Sequence, residues 1–140
     1  MRLTLMLPAA IEADWQRIGA LLAPAIEIDK NAPSIGIHAL LMSGQYAAIQ
    51  VDLPTGSGIA VVEICELDGR LVWWLPYVAG LVGLGPKATI AALREIMSGI
   101  EKLARSVGCW EIRIGGRDWS RVFPDFERFD DVPNRLRKVL

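Results

Sequence analysis

Residues 70–114 read RLVWWLPYVAGLVGLGPKATIAALREIMSGIEKLARSVGCWEIRI. An apolar strand, Arg70 to Ala79, runs into the glycine-rich segment Gly80-Leu81-Val82-Gly83-Leu84-Gly85. A long amphipathic segment then spans Pro86 or Lys87 to Val107. Ile90, Leu93, Met97, Ile100, Ala104 and Val107 recur on one helical face, widened by Ile96 and Leu103, with the charges elsewhere. Pro86 suits a first turn, where its missing N–H would be unpaired anyway, and Gly108 ends the run. Trp110 to Ile114 is a second strand. A strand–helix–strand unit of this length implies a right-handed crossover with parallel strands. A glycine loop that opens a helix presents free backbone N–H groups at the positive end of the helix dipole, a cradle for phosphate or pyrophosphate.

Upstream, Ala9 to Ala23 reads as one helix, with Ile11, Trp15, Ile18 and Leu22 on one stripe and Pro24 as its stop. Ser34 is placed to cap a shorter helix through Ser43, closed by Gly44. Tyr46 to Leu53 and Ile59 to Leu67 alternate as strands, separated by a turn over Pro54 to Gly58. Asp68-Gly69 is a type I′ hairpin signal leading into the Arg70 strand. Ile59, Val61 and Glu63 share one face of their strand; Ala60, Val62 and Ile64 share the other. Downstream of Gly115-Gly116-Arg117, Asp118 is placed to cap a short helix over Trp119 to Phe123. Phe126 to Phe129 and Arg135 to Leu140 read as short strands. The expected fold class is α+β in a single domain over residues 1–140: a mixed, mainly antiparallel sheet flanked by helices, with one crossover.

Composition bounds the function. The chain has 140 residues, 52% of them hydrophobic, and a net charge of −1. That charge gives no overall field for nucleic acid, so none is expected as a partner. The C-terminal arginines, Arg113, Arg117, Arg121, Arg135 and Arg137 with Lys138, read as a solvated surface. No apolar run reaches the ~18 residues a membrane helix needs, so no membrane is expected, and the N-terminus resembles a secretory signal only faintly. The apolar content fits a well-filled core together with a homo-oligomer interface. Cys65 and Cys109, each in an apolar segment, read as free buried thiols of a reducing compartment. With His38, read as a helix-surface residue, they make no zinc set. Adjacent Trp73 and Trp74 must point to opposite faces, one into the core and one toward a groove or contact.

The element order, with YVAGLVGLG between the third strand and the long helix, ARSVGCWEIRIGGRDWSRVF after it and RLRKVL at the end, resembles the GNAT N-acetyltransferase superfamily. It looks most like the acetyltransferase-like proteins encoded by bacteriophages and prophages. The resemblance implies acetyl-CoA as cofactor and an amine as acceptor. The family's loop pattern is Gln/Arg-x-x-Gly-x-Gly/Ala, whose amides bind the pyrophosphate. Gly80 stands at the Gln/Arg position and Gly83 and Gly85 at the two small ones. The resemblance thus assigns Gly80, Leu81, Val82, Gly83, Leu84 and Gly85 to the pyrophosphate, with Lys87 as a substitute charge. It assigns Tyr77, Val78 and Ala79, with Pro76, to the pantetheine arm. Pro76 removes a donor and marks a bulge or an edge.

Amine acetylation needs a base, and Glu63 is the candidate, with Glu66 second. The other reading of Glu63 is a solvent-facing residue on a half-exposed sheet. The family's usual acid, a tyrosine on the short helix after the penultimate strand, is replaced here by Trp119-Ser120-Arg121-Val122-Phe123. Tyr46 and Tyr77 are the only tyrosines, and neither occupies that position. Two functions stand on these residues. One is a cytoplasmic acyl-CoA-dependent N-acyltransferase. The other is a non-catalytic GNAT-like phage component, virion-associated or accessory, that works through a protein partner.

Overall fold

The computed structural model describes residues 1–140. In chain order the elements are β1 (Arg2–Met6), α1 (Pro8–Ala13), α2 (Trp15–Ile28), α3 (Ile37–Ser43), β2 (Ala47–Leu53), β3 (Gly56–Leu67), β4 (Arg70–Gly80), α4 (Pro86–Ser106), β5 (Cys109–Ile114), β6 (Glu127–Arg128) and β7 (Leu136–Val139). They form one seven-stranded sheet in the order β1-β2-β3-β4-β5-β7-β6. Only β4 and β5 pair in parallel, as the α4 crossover between them requires. The expected α+β class and mixed sheet are thus what the chain adopts.

The sheet is covered on both faces, which explains its nearly continuous apolar strands. On one face Ala60, Val62, Trp73, Leu75 and Ile112 pack against Leu93, Ile96, Met97 and Ile100 of α4. On the other, Ile59, Val61 and Tyr77 pack against Ile11, Ile18, Leu22, Leu40 and Leu41 of α1–α3. The two-residue alternation read along β3 is therefore the alternation between two cores. Trp73 is buried under α4 while Trp74 points to the other face, half-buried.

The β3–β4 register shifts once. Val61 pairs with Tyr77, but Glu63 pairs with Trp74, so Val62 faces both Leu75 and Pro76. This bulge absorbs the proline, whose missing N–H costs least where the ladder is already interrupted. It also changes the phase of β4. Trp74 and Tyr77, three apart, share the face that carries Glu63.

Several expectations are corrected. Arg2–Met6, given no element in the sequence reading, is an edge strand paired antiparallel to β2. The single helix expected over 9–23 is two, broken at Asp14, whose φ −117° and ψ 19° leave the helical region. Pro24 does not stop α2, which continues to Ile28. An interior proline costs about 3 kcal/mol. Here Leu22 is buried and Ala25 and Ile26 pack on the core beyond the proline, so tertiary packing holds the last turn. The second helix starts at Ile37 with Gly36, not Ser34, as its N-cap; Gly44 ends it at φ 81° as expected.

The expected turn over 54–58 is shorter, because β3 already begins at Gly56. Gly58 is a close-approach residue opposite Gly80, and a Cβ on it would lie 2.7 Å from the Ala79 carbonyl oxygen. The short helix expected over 119–123 is a single turn, in which the Phe123 N–H donates to Trp119 O at 2.9 Å. Asp118 still caps that turn by accepting from the Ser120 N–H at 3.0 Å. Val107, expected on the buried face of the long helix, is exposed beyond the last turn of α4.

Two glycines of the loop separate close packing from backbone freedom. Gly80 has φ +99°, and a Cβ on it would lie 2.7 Å from Gly58 Cα; Gly83 has φ +88° with open space around it. Gly80→Ala is expected to cost at least about 2 kcal/mol, from strain plus steric overlap. Gly83→Ala is expected to cost only about 1 kcal/mol, from strain alone. Urea midpoints of the two variants check the difference; equal losses would remove the packing role of Gly80.

Candidate active-site cleft

β4 is longer than its parallel partner. Pairing with β5 ends at Leu75↔Ile114, while β4 stays paired with β3 as far as Gly58↔Gly80. After Ile114 the chain turns away through Gly115 and Gly116, the latter at φ 85°. The Trp119 indole N–H fixes that turn by donating to Gly115 O at 2.9 Å. Val78, Ala79 and Gly80 therefore have no strand beside them on the β5 side, and a wedge opens in the sheet.

The glycine loop closes the wide end of the wedge. Gly80, Leu81 and Gly83 all have positive φ. Leu81 is buried in the α4-side core, and its N–H donates to Ser57 O at 3.1 Å. Val82 is 84% exposed. Gly85 is the extended N-cap of α4 and Pro86 its first residue; no side chain caps this end and no acid lies in its first turn. The Thr89 N–H is taken by Gly85 O. The Lys87 and Ala88 N–H groups precede the first possible intrahelical bond and point out of the helix end with the positive dipole. Lys87 is exposed beside them.

Cavities run along the wedge. One of about 440 Å³ lies between α2 and Val78, Ala79 and Gly80. Another of about 420 Å³ lies between Leu84, Pro86 and Thr89 at the start of α4 and Trp119. Arg117 lines both. A third, of only about 10 Å³, lies between Pro76, Tyr77, Val78 and Gly115 to Arg117 and shares lining residues with both. Beyond it, on the far side of Pro76 and Gly116, is a cavity of about 130 Å³ lined by Asp29, Tyr46, Trp74, Tyr77 and Arg135 among others. Gly116 leaves the space between Pro76 and Asp29 free of side chain. A Cβ on it would lie 3.1 Å from Pro76 O and 3.9 Å from Asp29 Cγ.

The far cavity has a defined hydrogen-bond frame. Asp29 Oδ2 accepts from Tyr77 Oη at 2.7 Å, and its Oδ1 accepts from the Asn31 N–H at 2.9 Å. Burial, then the adjacent Asp29 carboxylate, push the Tyr77 phenol well above its ordinary pKa. Burial, followed by the charge of Glu63, also raises Tyr46. Both tyrosines are neutral hydroxyls near pH 7.

The structure distributes the residues singled out in the sequence as follows. Tyr77, Val78, Ala79, Gly80 and Val82 line the wedge and Leu84 the adjoining cavity. Leu81 is turned into the core. Gly83, Gly85 and Lys87 are exposed around the helix end. Glu63 is half-buried opposite Trp74, its Oε2 accepting from Gln45 Nε2 at 3.1 Å and its Oε1 from Cys65 Sγ at 3.2 Å. It is absent from the walls of these cavities. Ser120 is exposed.

The sequence reading missed Asp29, Arg117 and Arg135 as site residues. The only local signal was for Arg117, which follows a Gly-Gly pair at the end of an apolar strand. Asp29 and Arg135 are far apart in sequence and meet only through the fold.

The comparisons with known proteins agree with this architecture. A chain of the AtaT–AtaR complex bound to DNA superposes with a TM-score of 0.61 at 12% identity, covering 99% of this chain and 94% of that one. An acetyltransferase of the GNAT family from Listeria monocytogenes gives the same four values. A tetramutant of the BH1408 protein from Bacillus halodurans gives a TM-score of 0.59 at 12% identity over 95% of this chain and 99% of that one. No protein-family model and no curated protein matches the sequence. The fold is that of the GNAT acetyltransferases. No helix is long and apolar enough to cross a membrane.

The wedge carries no thiol nucleophile. Cys109 is buried, and Cys65 has its pKa pushed up to about 11 by burial and by its hydrogen bond to Glu63. A thiol so protonated at pH 8 is a poor nucleophile. Iodoacetamide at pH 8 is expected to alkylate Cys65 in the native protein at least ~10-fold more slowly than an unperturbed cysteine. Rapid alkylation, read by mass spectrometry, would contradict the Glu63–Cys65 contact.

Proposed function

We propose that the protein is an acyl-CoA-dependent N-acyltransferase of the small GNAT type found in phages and prophages, acting in the cytoplasm. The observation that carries this reading is the wedge itself. A helix N-terminus with free amides stands at its wide end, and cavities that share wall residues lie between it and a polar cavity. The residues fit acetyl-CoA. The loop around Gly83 and Gly85 is open to close backbone approach, and Arg117 and Lys87 supply charge on either side of it. Acetyl-CoA, when bound, supplies an acyl thioester.

In this reading the Lys87 and Ala88 amides and the Arg117 guanidinium bind the pyrophosphate. Val78 to Gly80, which lack a strand neighbour, offer backbone groups to the pantetheine arm. Glycine at residue 116 keeps the space between Pro76 and Asp29 open. Of the two carboxylates near the bulge, Asp29 lines the acceptor cavity and is the base. Glu63 would reach an amine there only through Tyr46 or a water. The missing tyrosine acid leaves the departing thiolate to solvent or to the Tyr77 phenol.

Addition of acetyl-CoA is expected to raise Tm and to protect the amides of residues 80–92 from hydrogen exchange. Gly83→Val should abolish both effects. Millimolar acetyl-CoA without protection or thermal shift would end this reading. It would favour the other one, a non-catalytic phage component that works through protein contacts; one structural neighbour is likewise a chain of a protein complex. For turnover, Asp29→Asn is expected to lower kcat/KM by at least ~100-fold and Glu63→Gln by less than ~10-fold; the reverse order would return the base to Glu63.

A further inference from the structure

The far cavity holds two opposite charges that do not pair with each other. Asp29 is bound by Tyr77 and the Asn31 amide. Arg135 donates to Asp130 through Nη1 alone, at 3.4 Å, and its guanidinium stands 5.4 Å from the Trp74 ring centroid. Both charged side chains line the same small space, on either side of the glycine turn. A Cβ on Gly115 would lie 3.8 Å from Arg135 Cγ, and one on Gly116 would lie 3.9 Å from Asp29 Cγ. Glycine at both positions leaves that space empty of side chain.

An anion and a cation that line one small cavity, each with its own separate partner, match a ligand carrying both charges. Asp29 attracts an ammonium or holds an amine. Arg135 has four further N–H donors in a planar fork, suited to a carboxylate. A simple amine would gain nothing from Arg135 and would be repelled by it; a simple carboxylate would meet the same conflict at Asp29. The cavity volume, about 130 Å³, suits a small molecule. Tyr46 and Tyr77 add neutral hydroxyls, and Trp74 gives one apolar wall.

We infer that the acceptor is a small amino carboxylic acid, of the α-amino acid class, with its amine at Asp29 beside Gly116 and its carboxylate on Arg135. This rests on the acyltransferase reading for the reaction, though the binding itself does not. In the reaction the amine nitrogen bonds to the acyl carbon, the carbon–sulfur bond breaks, and CoA leaves as the thiolate. The proton released from nitrogen passes to the Asp29 carboxylate. Arg135 is then a specificity-determining residue, fixing the carboxylate so that the amine faces Gly116.

The test is calorimetric titration of the intact protein with the standard L-amino acids, each compared with its decarboxylated amine. At least one amino acid is expected to bind ~10-fold or more tightly than its amine. Arg135→Gln should erase that preference, and Asp29→Asn should weaken the amino acid and the amine alike. The indole N–H resonance assigned by Trp74→Phe should shift on binding. Equal affinity for the amine, a preference that survives Arg135→Gln, or no binding by any amino acid would overturn the inference. Acetyl-CoA protection of residues 80–92, measured on the same variants, checks their folding and separates the two readings. Protection without amino-acid binding removes only the acceptor assignment; amino-acid binding without protection leaves the cavity assignment standing and removes the transferase.

Discussion

β4 is held along its whole length on one side and along only half of it on the other. That asymmetry governs the rest of the molecule. With β3 bonded from Leu67↔Arg70 to Gly58↔Gly80, β4 cannot follow β5 when β5 ends at Ile114. The strands part, and backbone groups in the middle of a buried sheet become available to something other than a strand. The bulge opposite Val62 sits at the point of parting, where it accommodates Pro76 and brings Tyr77 onto the face of Trp74. Trp119 then fills the corner that the diverging chain leaves, with its indole tied to Gly115. The glycine loop, the wedge and the far cavity all follow from where two strands stop being neighbours.

Packing makes this opening affordable. Two separate cores, one under α4 and one under α1–α3, hold both faces of the sheet. Buried apolar area contributes roughly 25 cal/mol per Å², and neither core depends on the wedge being filled. Charge does its work at the margin. Lys138 of β7 bonds to both Glu101 of α4 and Asp125, hydrogen bonds that raise the lysine's pKa and lower that of Asp125. This joins the last strand, which leads out of Arg135, to the helix behind the sheet. One polar group in the core is left over: the Trp73 indole N–H is buried without a partner, a debt of about 1–3 kcal/mol that the ring's apolar contacts offset.

The sequence made most of the fold legible because its patterns are local. The Asp68-Gly69 turn, with φ 52° and 76°, and the glycine-bounded α4 are written in adjacent residues. So is the alternation of β3, which marks a sheet covered on both sides. By contrast, Pro24 carries a strong local preference that tertiary packing overrode, and Ser34 one that the helix start at Ile37 leaves unused. β1 is only five residues long and mostly exposed, so its Arg2-Leu3-Thr4-Leu5 alternation is too brief to stand out. The site divided along the same line. The loop and Pro76 could be found because one continuous stretch builds them. Asp29, Tyr46, Trp74 and Arg135 come from four separate places, and only the bulge phase and the Gly115–Gly116 turn bring them together. Glu63 drew notice for its apolar neighbours, yet its hydrogen bonds to Gln45 and Cys65 direct it away from the cavity wall.

The contact between Gly58 and Gly80 has a bearing on how such a protein can change over time. Two backbones meet there with no side chain between them, and the position of the loop is inherited from that meeting. The side chains around it, such as the outward-facing Val82, are then free to drift without disturbing where the amides point. A cradle made of main chain leaves almost no signature in residue identity. At 12% identity to structures with the same fold, this chain shares their frame and few of their side chains. The far cavity, by contrast, takes its polar walls from side chains, among them Asp29, Tyr46, Tyr77 and Arg135. Substitutions can therefore remake the walls of that cavity while the loop keeps its place.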